Sequence, residues 1–113
     1  MRPTKVYSGV RDPNELSTAG DCIVYVDGVK LRPDASQRVR NHSPTGFNWG
    51  YSGSGPAQLA LAILLDHFGG DKERAQRHYQ TFKFKIVAGW PQDNGWVITS
   101  NDIDRFIAEQ EKE

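Results

Sequence analysis

Cys22-Ile23-Val24-Tyr25-Val26-Asp27-Gly28-Val29-Lys30-Leu31 is the stretch that decides the fold. β-branched and aromatic residues run to Val26. Asp27-Gly28 then supplies two residues that tolerate positive φ, as the two-residue turn between tightly paired strands requires. Val29-Lys30-Leu31 returns. The spacing predicts a β-hairpin and, with it, an antiparallel sheet. Upstream, Val6-Tyr7-Ser8-Gly9-Val10 reads as another short strand, and Asp12-Pro13-Asn14 breaks it with turn formers.

Downstream, residues 32–46 are polar, carry Pro33 and Pro44, and read as a long loop in which Arg38-Val39-Arg40 is a brief extended piece. Pro56 to Phe68 reads as the central helix, with Gly55 as N-cap and Pro56 at the first helical position. Leu59, Ala60, Ile63 and Leu64 follow helical spacing. Leu61 and Leu65 widen the apolar face, so the helix is expected to be buried on most sides. Gly69-Gly70 closes it. Asp71 caps a second helix to about Thr81, with Ala75, Tyr79 and Phe82 along one face. Phe82-Lys83-Phe84-Lys85-Ile86-Val87 alternates with period two, which predicts a strand with Lys83 and Lys85 on its solvated face. After a turn-rich loop from Gly89 to Gly95, Trp96-Val97-Ile98 reads as a last strand. Thr99 or Ser100 caps a final helix with Ile103, Phe106 and Ile107 inward. The expected fold is α+β: one domain over 1–113, a small antiparallel sheet with an N-terminal β-hairpin and about three helices packed on one face.

Composition narrows the function classes. With 113 residues the chain makes one domain, and 14 Lys and Arg against 14 Asp and Glu leave it neutral. A neutral chain argues against general binding to duplex DNA, which favours basic proteins. The charge is unevenly placed, however. Lys30, Arg32, Arg38 and Arg40 face only Asp34 between Gly28 and Tyr51, while five acids face two cations from Asn101 onward. Cys22 is the only cysteine, so no internal disulfide forms. The start of the chain lacks the apolar run of a signal peptide, and the longest apolar stretch, Leu59 to Leu65, is too short to span a membrane. A cytoplasmic protein without membrane partners is expected, with room for a homo-oligomer.

One segment stands apart: Asn41-His42-Ser43-Pro44-Thr45-Gly46-Phe47-Asn48-Trp49-Gly50-Tyr51-Ser52-Gly53-Ser54-Gly55-Pro56. Glycines, aromatics and hydroxyls lead directly into a helix. Unpaired N–H groups and a partial positive charge at a helix start attract anions, and glycines let a ligand approach the backbone. Ser52, Gly53, Ser54 and Gly55 therefore form a candidate phosphate cradle. Arg38, Arg40 and His42 supply charge just upstream, and Trp49 or Tyr51 offers a face for a base. The segment is neither a P-loop nor a dinucleotide fingerprint, because no Lys-Ser/Thr pair follows and the third glycine is missing. A second reading stays open, in which the glycines only make tight turns and Phe47, Trp49 and Tyr51 belong to the core.

Catalysis has little support. His42, His67 and His78 lie in three different elements, Cys22 reads as a buried inert thiol, and no metal-ligand spacing appears. No catalytic residue, metal or cofactor is assigned.

The stretch from Asn41 through Pro56 and on through Ala57-Gln58-Leu59-Ala60-Leu61-Ala62-Ile63-Leu64 resembles the core motif of the domain-of-unknown-function family numbered 6166, and the likeness runs from Tyr7-Ser8-Gly9-Val10-Arg11 to about Ile107. The resemblance implies short cytosolic proteins of bacteria, phages and mobile elements, often accessory factors and among them inhibitors of host defence. The leading expectation is thus a non-enzymatic, possible counter-defence protein that acts by binding, either a phosphate-bearing small ligand such as a nucleotide signal or a host protein such as a CRISPR component. The alternatives are a small nucleotide-acting enzyme using His42 as acid or base, and a nucleic-acid-binding module.

Overall fold

The computed structural model describes residues 4–12 and 22–112. The order is β1 (Val6–Arg11), β2 (Cys22–Val26), β3 (Val29–Lys30), α1 (Asp34–Val39), α2 (Ser54–His67), α3 (Lys72–Lys85), a 3-10 turn (Val87–Gly89), β4 (Trp96–Thr99) and α4 (Ser100–Glu111). The four strands form one antiparallel sheet in the order β3-β2-β1-β4. The fold is α+β with helices against one face of the sheet. Tyr7, Val24, Trp96 and Ile98 turn into the core, while Val10 and Val97 stay exposed on the other side.

The hairpin forms as its sequence predicts. Asp27 and Gly28 take φ of 50° and 82°, and Val26 pairs with Val29. The turn expected at Asp12-Pro13-Asn14 lies, beyond Asp12, outside the described residues. At the other end of the chain, Thr99 accepts from the Asp102 backbone N–H while Asp102 accepts from that of Thr99, a reciprocal cap that starts α4 directly at the end of β4.

α2 is the centre of the molecule. Gly55 through Leu65 are all buried, so the helix is wrapped rather than laid on a surface. It begins two residues before the expected start: Gly53 is the N-cap, and Pro56 sits in the third position. That place still tolerates proline, because the first four N–H groups have no partner within the helix.

Two expected elements differ. Residues 82–85 are not a strand, because α3 continues to Lys85. Ala75, Tyr79 and Phe82 already follow helical spacing into the core, and burial of Phe82 outweighs the period-two alternation that follows it. Phe82 is fully buried while Phe84, two residues on, is 62% exposed, which an alternating buried face of a strand would not give. Likewise Arg38-Val39-Arg40 is not extended. Asp34–Val39 form the short helix α1, with Pro33 as its N-cap and the Ser36 hydroxyl donating back to the Pro33 carbonyl. Only Arg40, the C-cap, has extended backbone.

Candidate functional site

The site is built on Gln58, the one polar side chain buried within the first three turns of α2. Its amide oxygen accepts the backbone N–H groups of His42 (2.7 Å) and Ser43 (3.0 Å). Its amide nitrogen donates to the Ser36 hydroxyl (2.9 Å) and the Arg40 carbonyl (3.2 Å). Four bonds from one residue thus fix the chain from the middle of α1 to the start of the next loop. Burying a polar amide is costly unless it is paired, so this segment has one arrangement.

That anchoring brings His42 to α3 and leaves Arg40 beside it in the chain. The His42 Nε2 lies 2.7 Å from the Tyr79 hydroxyl, which also accepts from Gln80 at 3.1 Å. Lys83 follows Tyr79 by one helical turn and therefore shares its face. Burial holds the His42 pKa below its ordinary value of 6.5, and the nearby positive charges of Arg40 and Lys83 push it the same way. His42 is therefore mainly a neutral imidazole at pH 7, with two cations acting on it.

Lys83 is only 8% exposed. Its ammonium rests 4.0 Å from the centre of the exposed Phe84 ring. Among the described residues it has no carboxylate partner, and neither Arg38 nor Arg40 takes part in an ion pair. The chain's other two histidines are satisfied differently. His67 pairs with Asp104 and His78 with Glu111, both holding α4 against the helices before it.

The remaining candidate residues sit apart from this cluster. Trp49 is fully buried, with its indole N–H donated to the Asn94 carbonyl at 2.9 Å and its ring edge against Trp96. The Arg11 guanidinium lies over the Trp49 ring and donates to Cys22 Sγ and Asn48 Oδ1. The Trp49 ring is thus a core group, and its face is already taken. Phe47 is also buried. Tyr51 is 40% exposed, and its ring lies on the first turn of α2. A Cβ on Gly53 would meet Tyr51 Cε2 at 2.6 Å, and one on Gly55 would meet the Asn48 Cβ at 2.6 Å. The close approach that these glycines allow is therefore used by Tyr51 and Asn48. Ser52 and Ser54 are exposed beside them.

Of the sequence candidates, the structure brings Arg40 and His42 together, with Tyr79 and Lys83 as additional members. Lys83 escaped the sequence reading because it was placed on a strand. Gln58 escaped too, although a lone amide within an otherwise apolar helix is a visible signal. No described helix is long and apolar enough to cross a membrane.

No curated protein and no solved structure matches this sequence. A family model described as "Family of unknown function (DUF6166)" matches residues 7–109, which takes in the sheet from the second residue of β1 onward, α1 to α3, the Gln58 anchor and Arg40, His42 and Lys83. The chain belongs to that family, DUF6166.

Proposed function

We propose that the protein acts by binding, and that the surface around Arg40, His42, Tyr79 and Lys83 receives an anionic, phosphate-bearing small ligand. The observation that carries this reading is Lys83: a lysine only 8% exposed, with no carboxylate partner among the described residues, that together with Arg40, also without an ion pair there, acts on His42. Apart from the Phe84 ring, no described group answers these positive charges, and a bound anion would. The Tyr79 hydroxyl and the neutral imidazole add short polar contacts, and the Phe84 ring gives an apolar border. Stoichiometric capture of such a ligand suits the accessory role in a phage or mobile element that the sequence resemblance implies.

Calorimetric titration with a nucleoside monophosphate and with inorganic sulfate tests the reading. Saturation at one equivalent is expected. Arg40→Ala should weaken binding by about 1.5–3 kcal/mol if its contact is charge-assisted. Lys83→Met, which keeps the buried stem and removes the charge, should abolish it. Binding unchanged in both variants removes the site, and turnover of the nucleotide would instead make His42 an acid–base residue.

A further inference from the structure

A separate cleft of about 370 Å³ opens where the end of β3 and α1 meet the last turn of α2. That volume lies within the roughly 300–1,000 Å³ range of small-molecule sites. Leu31, Ala35 and Leu65 give it apolar walls, and Lys5, Arg32 and Asp66 are its charged groups.

Asp66 is the unusual member. It occupies the C-terminal turn of α2, where the helix dipole disfavours a carboxylate. It is held there by the buried Tyr7, whose hydroxyl donates to Oδ2 at 2.7 Å, and by the Lys5 ammonium at 3.3 Å from the same oxygen. Both contacts fall on Oδ2. Oδ1 takes no hydrogen bond among the described residues, and the side chain is 30% exposed. Among the described residues Arg32 engages Asp34 through Nε alone, which leaves its terminal N–H groups uncommitted there.

The cleft thus offers a hydrogen-bond acceptor at the negative end of a helix, a guanidinium, and apolar walls. A lone anion would meet the Asp66 carboxylate. A lone cation would meet Lys5 and Arg32. A molecule carrying both charges side by side has an opposite partner for each, Asp66 for its ammonium and Arg32 for its carboxylate. We propose that this cleft binds a small zwitterion of the apolar amino-acid class. Its ammonium sits on Asp66 Oδ1, its carboxylate on Arg32, and its hydrocarbon side chain against Leu31, Ala35 and Leu65. The site uses none of the residues of the anion surface, so the two stand or fall separately.

The test is an NMR titration of the intact protein with L-phenylalanine at millimolar concentration, alongside 3-phenylpropionate, which lacks the ammonium, and phenethylamine, which lacks the carboxylate. L-phenylalanine should move the backbone signals of Ala35, Ala62, Gly69 and Gly70. Each analogue should bind at least about tenfold more weakly, because each leaves one charged partner unanswered. Ala35→Phe fills the cleft from an exposed position and so leaves folding intact; it should abolish the shifts. Asp66→Asn keeps an acceptor for Tyr7 and should weaken binding about tenfold. No shifts with L-phenylalanine, shifts that persist in Ala35→Phe, or equal binding of 3-phenylpropionate would each overturn the assignment.

Discussion

The side-chain oxygen of Gln58, at the centre of the buried helix, accepts the backbone N–H of His42 at 2.7 Å across a sequence gap of 16 residues. Position 58 therefore controls where the cationic surface sits. Gln58→Leu conserves volume but leaves the His42 and Ser43 N–H groups, the Ser36 hydroxyl and the Arg40 carbonyl without this partner. Unsatisfied buried groups cost about 1–3 kcal/mol each, and solvent reaching the freed loop recovers part of that, so a net loss of about 2–4 kcal/mol is expected in urea unfolding. Amide hydrogen exchange at His42 and Ser43 should accelerate more than exchange in α3.

Gly53 and Gly55 separate into two degrees of intolerance. A Cβ at Gly53 meets the ring of a half-exposed tyrosine, which can swing aside. One at Gly55 meets the Asn48 Cβ and, at 3.1 Å, the Asn48 backbone nitrogen. Gly55→Ala should therefore cost about 1–3 kcal/mol, as overpacking does, and Gly53→Ala less. Adding Tyr51→Ala should relieve the Gly53 variant and not the Gly55 variant, a non-additivity that a double-mutant cycle reads directly.

His42 makes stability depend on pH in a stated direction. Its folded pKa lies below the unfolded value of 6.5, so the folded state binds fewer protons in that interval. The associated stability is complete above pH 6.5 and declines as the pH falls from there toward the folded pKa. A bound anion offsets the repulsion from Arg40 and Lys83 and raises this pKa. By reciprocity, sulfate should bind more tightly as the pH is lowered through the same interval. An NMR titration of the His42 ring with and without sulfate checks both statements, and a His42 pKa at or above 6.5 in the free protein contradicts the first.

α4 carries a second acid-sensitive contact. A hydrogen bond from His78, then contacts with Arg74, hold the Glu111 carboxyl below the usual range. A depressed acid stabilises the fold above its unfolded pKa, and that contribution disappears as the pH falls through the folded one. Acidification should therefore fray the last turn of α4 first. In Glu111→Gln the hydrogen-exchange protection near residue 111 should fall at neutral pH and lose most of its acid dependence.

Much of this framework was legible in the residues. Asp27-Gly28 specified the hairpin, the pair Thr99 and Ser100 marked the start of α4, and the apolar run Leu59–Leu65 specified a wrapped helix. The misread pieces share a physical cause. Phe82-Lys83-Phe84-Lys85 carries a local pattern suited to a strand, and only the packing of Phe82 on the core makes it helical. For the candidate site, Arg40 and His42 were visible as charge near a loop. Tyr79 and Lys83 were not, because their approach to His42 depends on a helix register and a buried amide, neither of which has a local signature.

The placement of β1 has a consequence for how the chain acquires its shape. β1 lies between β2 and β4, so Tyr7 is registered with both Val26 and Ile98, and the Ser100 N–H donates to the Lys5 carbonyl. One side of that strand is satisfied by nearby residues and the other by residues about ninety positions away. Closing so long a loop comes late and slowly. During synthesis, β1 and the β2–β3 hairpin emerge with one bare edge, and Val10 and Tyr7 on the strand that forms it, until residues 96–99 arrive. That open edge is the point at which a half-made chain is most exposed to pairing with a neighbour instead of with itself.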